Sequence, residues 1–233
     1  MNVNDPFTIR IDASQCTSLL AGGEYLGKQK FFDIWKYDNL QFESGKIYAL
    51  VGEHGEGCMY LSYLLGGKID FDKLRIYINE DEIKKSDLQL IGWNLEPGEE
   101  PYGNKIIKKS ILKALEENNT KESFSDIQEK FHLKPSRSNI KLKNLSGERW
   151  RACAALGYAK GRKIFYAPYM TSSFYYNMCQ SGLLKVLREL ANAEAIVLLP
   201  VGSDEFVKHI VDQCIYVKPR SYHIEDLERE IEQ

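Results

Sequence analysis

The stretch Gly52-Glu53-His54-Gly55-Glu56-Gly57-Cys58-Met59 stands between an apolar run ending at Val51 and an apolar segment from Tyr60 to Leu65. A strand, a glycine-rich loop and a helix in that order form a cradle for phosphate. Glycines let backbone N–H groups curl around the anion, and the helix N-terminus adds positive potential. The G-x-x-x-x-G spacing of such a P-loop runs from Gly52 to Gly57, with an extra glycine at Gly55. For hydrolysis the loop then needs a lysine, which neutralises the outer phosphates, and a serine or threonine, whose hydroxyl holds magnesium. Cys58 and Met59 stand in those two places and do neither job. A charge-assisted hydrogen bond contributes about 1.5–3 kcal/mol, so the missing lysine alone weakens phosphate binding by about one to two orders of magnitude. Glu56 adds a charge that repels phosphate. Taken alone, the loop reads equally well as a glycine-rich turn of an unrelated α/β protein.

A second cluster, Asn144-Leu145-Ser146-Gly147-Glu148-Arg149-Trp150-Arg151, leads into the alanine-rich stretch Ala152 to Ala159. It resembles the signature of ABC transporter ATP-binding subunits, Leu-Ser-Gly-Gly-Gln followed by Arg-x-Arg, shortened by one residue. With the glycine loop upstream, the resemblance covers nearly the whole chain in order and spacing. Counted without gaps from Arg149, the family's Asp-Glu-Pro-Thr falls on Pro168-Tyr169-Met170-Thr171, and only Thr171 matches. The acid of the magnesium shell is thus Pro168, and the acid that orients the attacking water is Tyr169. A shift of one residue gives Ala167 and Pro168, which are equally inert. The aspartate expected shortly after falls on Tyr175, or on Phe174 with that shift. Glu96, closing Ile91-Gly92-Trp93-Asn94-Leu95-Glu96, takes the place of the family's glutamine. The histidine expected after a late apolar strand falls on Val201 or Gly202. His209 is too far along and reads as an ordinary surface histidine. Tyr25, Phe31 and Phe32 are all candidates for the aromatic ring that stacks on adenine. An acid at the place of Glu53 is unremarkable in functional relatives.

Short apolar runs supply the strands that must position these residues: Phe7 to Ile11, Lys46 to Val51, Arg75 to Ile78, Leu88 to Trp93, Lys163 to Ala167, Ala195 to Val201 and Cys214 to Val217. Helical patterns lie between them, at Ile106 to Asn118, Ser123 to Leu133, Arg149 to Lys160 and Leu183 to Leu190, and an acidic helix is expected over Ile224 to Gln233. Strand alternating with helix implies an α/β protein with a mostly parallel sheet. Residues 97–144 carry helices and no strong strand, so they read as a helical subdomain inserted in a single domain of residues 1–233. This agrees with the P-loop NTPase-like fold of ABC ATPase type that the resemblance implies.

The 233 residues suit one large domain, and 43% apolar with 27% charged residues is ordinary for a globular protein. A net charge of −2 gives no general affinity for nucleic acid. Cys16, Cys58, Cys153, Cys179 and Cys214 are scattered with no CxxC, so neither a disulfide framework nor a zinc site is indicated. The opening residues lack the basic-then-apolar pattern of a signal peptide, and no apolar run is long enough to span a bilayer. A cytoplasmic protein is expected, held at the inner face of a membrane only through something else.

In the family the resemblance names, two such domains dimerise head to tail, each ATP lying between one subunit's phosphate loop and the other's signature. The resemblance therefore implies a chain without its own catalytic residues that completes the site of an active ABC ATPase subunit through Leu145, Ser146, Gly147 and Glu148. Membrane permease subunits would be its other partners. ATP binding in its own loop would be weak, and magnesium is not expected there. Two other readings stand beside it: an N-capping serine on a buried helix for Ser146, and an ABC-fold scaffold or regulator that binds protein and no nucleotide for the chain.

Overall fold

The computed structural model describes residues 5–13, 19–25, 29–35, 39–53, 55, 57–71, 74–96 and 102–217. Its strands are β1 (Thr8–Asp12), β2 (Leu19–Tyr25), β3 (Gln29–Trp35), β4 (Leu40–Glu43), β5 (Ile47–Val51), β6 (Arg75–Ile78), β7 (Asp81–Ile83), β8 (Gly92–Asn94), β9 (Ile164–Tyr166), β10 (Ile196–Val201) and β11 (Gln213–Tyr216). The helices are α1 (Cys58–Leu65), α2 (Lys85–Ile91), α3 (Ile107–Glu117), α4 (Phe124–Lys130), α5 (Arg149–Ala159), α6 (Ser172–Met178) and α7 (Leu184–Asn192).

The central sheet has the order β11-β5-β10-β9-β8, and every pairing in it is parallel. β5 and β10 are buried throughout because both faces are covered. With a period of two, Ile47, Ala49 and Val51 join one core with Val197, Leu199, Val201, α5 and α7. Tyr48 and Leu50 join the other, with Leu198, Tyr166, α1 and strands β1 and β6. That second face is roofed by an antiparallel sheet, β4-β1-β6-β7, with a separate β2–β3 hairpin. The parallel sheet read from the sequence is therefore the core only, and the antiparallel strands β2, β3, β4 and β7 were not legible in it. Between β8 and β9 the described residues hold α3, α4 and α5, and a single isolated bridge, Ile106 with Lys141, stands in for any strand.

One expected strand is corrected. Leu88 to Ile91 is helical, and only Gly92–Asn94 joins the sheet. The Lys84 amide donates to the Asp87 carboxylate at 2.8 Å, closing a helix start that the apolar run concealed. Leu88 is buried while Leu90 is 70% exposed, a helical and not an alternating pattern for a short run that periodicity alone does not decide. The expected acidic helix over residues 224–233 lies outside the described residues.

α5 is buried on nearly all sides, among α3, α7 and the end of β8, and most of its buried residues are small. Ala152, Cys153, Ala154 and Ala155 are all buried. A Cβ on Gly157 would stand 2.5 Å from Cδ1 of Trp93 and 2.7 Å from the Phe165 ring. Gly157→Ala is expected to destabilise the fold by about 1–3 kcal/mol through overpacking. Gly147→Ala, where a Cβ meets nothing within 4 Å, should stay within about 0.5 kcal/mol. Urea unfolding midpoints of the two variants check this.

Candidate functional site

The glycine loop leaves the sheet at the end of β5. The Gly52 amide donates to the Val201 carbonyl at 2.9 Å, so the loop starts from the last rung shared with β10. Gly55 (φ 94°) and Gly57 (φ 100°) take left-handed conformations, and Gly57 is the N-cap of α1. Such turns aim backbone N–H groups into a concavity, as a phosphate cradle requires. The side chains after it point elsewhere. Cys58 is fully buried, and its thiol donates to the Gly52 carbonyl at 3.4 Å, stitching the loop to itself. Met59 is buried in the core that α1 shares with the antiparallel sheet. Glu53 is exposed, while His54 and Glu56 lie outside the described residues.

The segment after β9 is rebuilt around a proline. The Ala167 amide donates to Leu198 O at 3.1 Å and the Met170 amide to Pro200 O at 3.3 Å, so the chain follows β10 on both sides of Pro168-Tyr169. Proline has no N–H to continue the ladder. Pro168 is buried, and its carbonyl accepts a hydrogen bond from the hydroxyl of Tyr175. Tyr175 is itself fully buried, and burial pushes its phenol well above the ordinary tyrosine range, so it stays a donor. Tyr169 reaches across to β10: its hydroxyl lies 2.6 Å from where a Cβ on Gly202 would stand. Thr171 caps α6, its Oγ1 accepting from the Phe174 amide at 3.2 Å. The shifted alternatives are no better placed for chemistry. Ala167 is fully buried, and Phe174 packs on Trp150 with ring centroids 6.3 Å apart.

The signature cluster behaves in the opposite way. Leu145 is buried and anchors the turn, whereas Ser146 and Gly147 are exposed. Residues Ser146–Glu148 form one 3-10 turn leading into α5. Ser146 has φ 48°, which costs a non-glycine residue about 1–2 kcal/mol. Strain of this kind persists only where the surroundings hold it. The N-capping alternative for Ser146 is not what forms: the N-cap of α5 is Glu148, and no side-chain cap bond is made there. Glu148 turns inward, with Arg151 Nη2 at 3.5 Å and Arg137 Nε at 4.0 Å.

Nothing local in the sequence joins Glu96 to Arg149, 53 residues apart, yet the two form an ion pair. The Glu96 amide donates to Asn94 Oδ1 at 2.9 Å.

The same architecture recurs in solved structures. The cbiO1 protein of Clostridium perfringens, described as part of the ABC transporter complex cbiONQ, superposes with TM-score 0.64 at 14% identity, over 90% of this chain and 84% of that one. A dimeric bacterial ABC transporter cassette, MJ0796, gives 0.63 at 14%, over 92% and 100%. The ADP conformation of the cassette MJ1267 gives 0.60 at 13%, over 91% and 87%. The chain has the fold of an ABC transporter ATP-binding cassette. No protein-family model matches it, and no curated protein matches it in sequence.

Within the cassette, Cys58, Met59, Pro168 and Tyr169 occupy the positions the sequence counts assign to the phosphate and magnesium chemistry. None offers the carboxylate or aliphatic hydroxyl oxygen that magnesium takes, so these residues do not fit the ion. Of the two places for the histidine, Val201 is fully buried and Gly202 lies against the Tyr169 hydroxyl. His209 is exposed at the end of a 3-10 turn. Tyr25, Phe31 and Phe32 lie on the β2–β3 hairpin, with Phe31 opposite Gly23 and Phe32 opposite Gly22; their side chains are outside what is described. Sequence reasoning missed the Tyr169–Gly202 fit and the Glu96–Arg149 pair, because both join segments far apart in the chain.

The Tyr169 hydroxyl and a residue-202 side chain compete for one space. Gly202→Ala should therefore destabilise the wild-type chain more than it does a Tyr169→Ala background. A coupling of about 0.5–3 kcal/mol is expected in a double-mutant cycle read by denaturant unfolding.

Proposed function

We propose that this cassette is a non-catalytic subunit of a heteromeric ABC transporter, which completes the ATP site of an active partner through Leu145, Ser146, Gly147 and Glu148. One contrast carries the reading: the side chains at the hydrolytic positions are spent on internal contacts, while Ser146 and Gly147 stand exposed in a strained turn. A serine hydroxyl and a glycine N–H presented together suit a γ-phosphate held by another subunit's loop. MJ0796 has a dimeric cassette structure, and cbiO1 is part of a transporter complex, which supports pairing of this kind. Residues 97–144 act as an inserted helical subdomain that grips permease subunits, and through them the chain sits at the inner face of the membrane. No helix among the described residues is long and apolar enough to cross one itself. ATP binds weakly in the chain's own loop, through backbone N–H groups and without dependence on magnesium.

The purified chain alone is expected to release no phosphate from ATP with or without magnesium. Turnover that Gly57→Asp abolishes would overturn this. In calorimetry ATP and ADP should bind weakly and about equally. Tight, magnesium-dependent ATP binding would refute the reading of the loop.

In the complex copurified with its partner ATPase, Ser146→Arg or Gly147→Glu should lower ATP turnover by about 100-fold while leaving the partner's own ATP binding unchanged. If both variants assemble normally and turn over at the wild-type rate, the chain is a scaffold or regulator that binds protein partners and no nucleotide.

A further inference from the structure

The residues of α5 that face the end of β8 are spaced by four: Arg149, Cys153 and Gly157 form one stripe along the helix. They meet the segment 93–96 in order along its length. Gly157 lets the Trp93 ring pack directly on the helix. At the middle, the Trp93 indole N–H donates to the Cys153 carbonyl at 2.9 Å, and the Cys153 thiol donates to the Asn94 carbonyl at 3.2 Å. Burial pushes that thiol up to about 12, so it remains a donor. At the first turn, Arg149 pairs with Glu96. The start of this segment is tied to the central sheet: Trp93 and Asn94 pair with Phe165 and Tyr166, and the Leu95 amide donates to the Tyr166 carbonyl at 2.8 Å. The stripe thus fastens α5 to β8 and the chain that leaves it at three heights, and of these three contacts Glu96–Arg149 is the one at the end that carries Ser146 and Gly147.

We infer that Glu96 and Arg149 are positioning residues, whose ion pair holds the Ser146–Gly147 turn at a set place above the sheet for the partner's nucleotide. The inference rests on the reading that this turn completes a partner's site. Its physical basis is leverage. The two deeper contacts join buried neutral groups and anchor the body of α5; at its first turn Trp150 packs on Phe174 and Tyr175 and Glu148 faces Arg151 and Arg137, and the ion pair is what ties that turn to the chain leaving β8. The ion pair closes that turn, and its partly buried side chains, 35% and 17% exposed, are screened less by salt than a surface pair would be. A serine at φ 48° needs such restraint.

The experiment compares Glu96→Ala, Arg149→Ala and the exchanged pair Glu96→Arg with Arg149→Glu. Amide hydrogen exchange is read on the full chain, and ATP turnover on the complex copurified with its partner. Each single variant should speed exchange of residues 145–149 by about tenfold and lower kcat by about tenfold with KM for ATP unchanged. The exchanged pair should restore both. The inference is overturned if exchange at 145–149 is unaltered in the single variants, if exchange instead rises across the whole chain, or if the exchanged pair folds but restores neither readout. Ser146→Arg, measured alongside, separates the two levels. If it abolishes turnover while the Glu96 and Arg149 variants run at the wild-type rate, the positioning role fails alone. If it leaves turnover untouched, the completing-site reading fails, and with it the role of the pair in presenting the turn.

Discussion

Five parallel strands, of which β5, β9 and β10 are buried throughout, end along one edge, and the rest of the molecule depends on that edge. The glycine loop leaves from the end of β5, Pro168 and Tyr169 follow β9, Gly202 follows β10, and Glu96 follows β8. A parallel sheet brings the carboxyl ends of its strands together, which is why ligand sites of open α/β folds form there. The ladder between β5 and β10, from Ile47 with Val197 to Val51 with Val201, sets how these segments stand to one another. A shift in it would move the loop and Gly202 together.

At this edge the glycine loop has two left-handed residues, Gly55 and Gly57. Glycines with positive φ still shape the loop, but the positions that would carry charge hold groups that satisfy the protein itself. Cys58 bonds Gly52, Tyr175 bonds Pro168, and Tyr169 fills the space beside Gly202. A buried hydroxyl or thiol must find an acceptor or cost free energy. Cys58 and Tyr175 find theirs nearby, in the Gly52 and Pro168 carbonyls. The signature turn follows a different economy. Leu145 and Glu148 are buried on either side, yet the two residues between them are exposed in a conformation that serves no visible packing purpose.

Much of this was legible in the sequence, and the reasons are local. The apolar run into Gly52 marks a strand and the start of a glycine loop, because both depend on near neighbours and on the conformational freedom of glycine. The alanine-rich stretch after Arg151 marks a helix packed close to other chain segments. The types of residue at 58, 59, 168 and 169 decide by themselves that no lysine, magnesium-binding hydroxyl or acid stands there, whatever the fold. The helix hidden in Leu88 to Ile91 and the antiparallel strands β2, β3, β4 and β7 were not legible, since four-residue apolar runs suit strand and helix equally and edge strands carry weak signals.

The residue types alone thus determined which side chains stand at positions 58, 59, 168 and 169, and the order of the strands and helices determined the class of fold. Only the tertiary structure decided what the replacing residues do instead. The contacts of Tyr169 with Gly202, of Tyr175 with Pro168 and of Glu96 with Arg149 join segments brought together by the sheet edge. Two of them span tens of residues of chain, and all three depend on which way a side chain turns once its surroundings are buried. Sequence spacing carries no record of that direction beyond one helix or strand, because it is set by packing against elements folded from elsewhere in the chain.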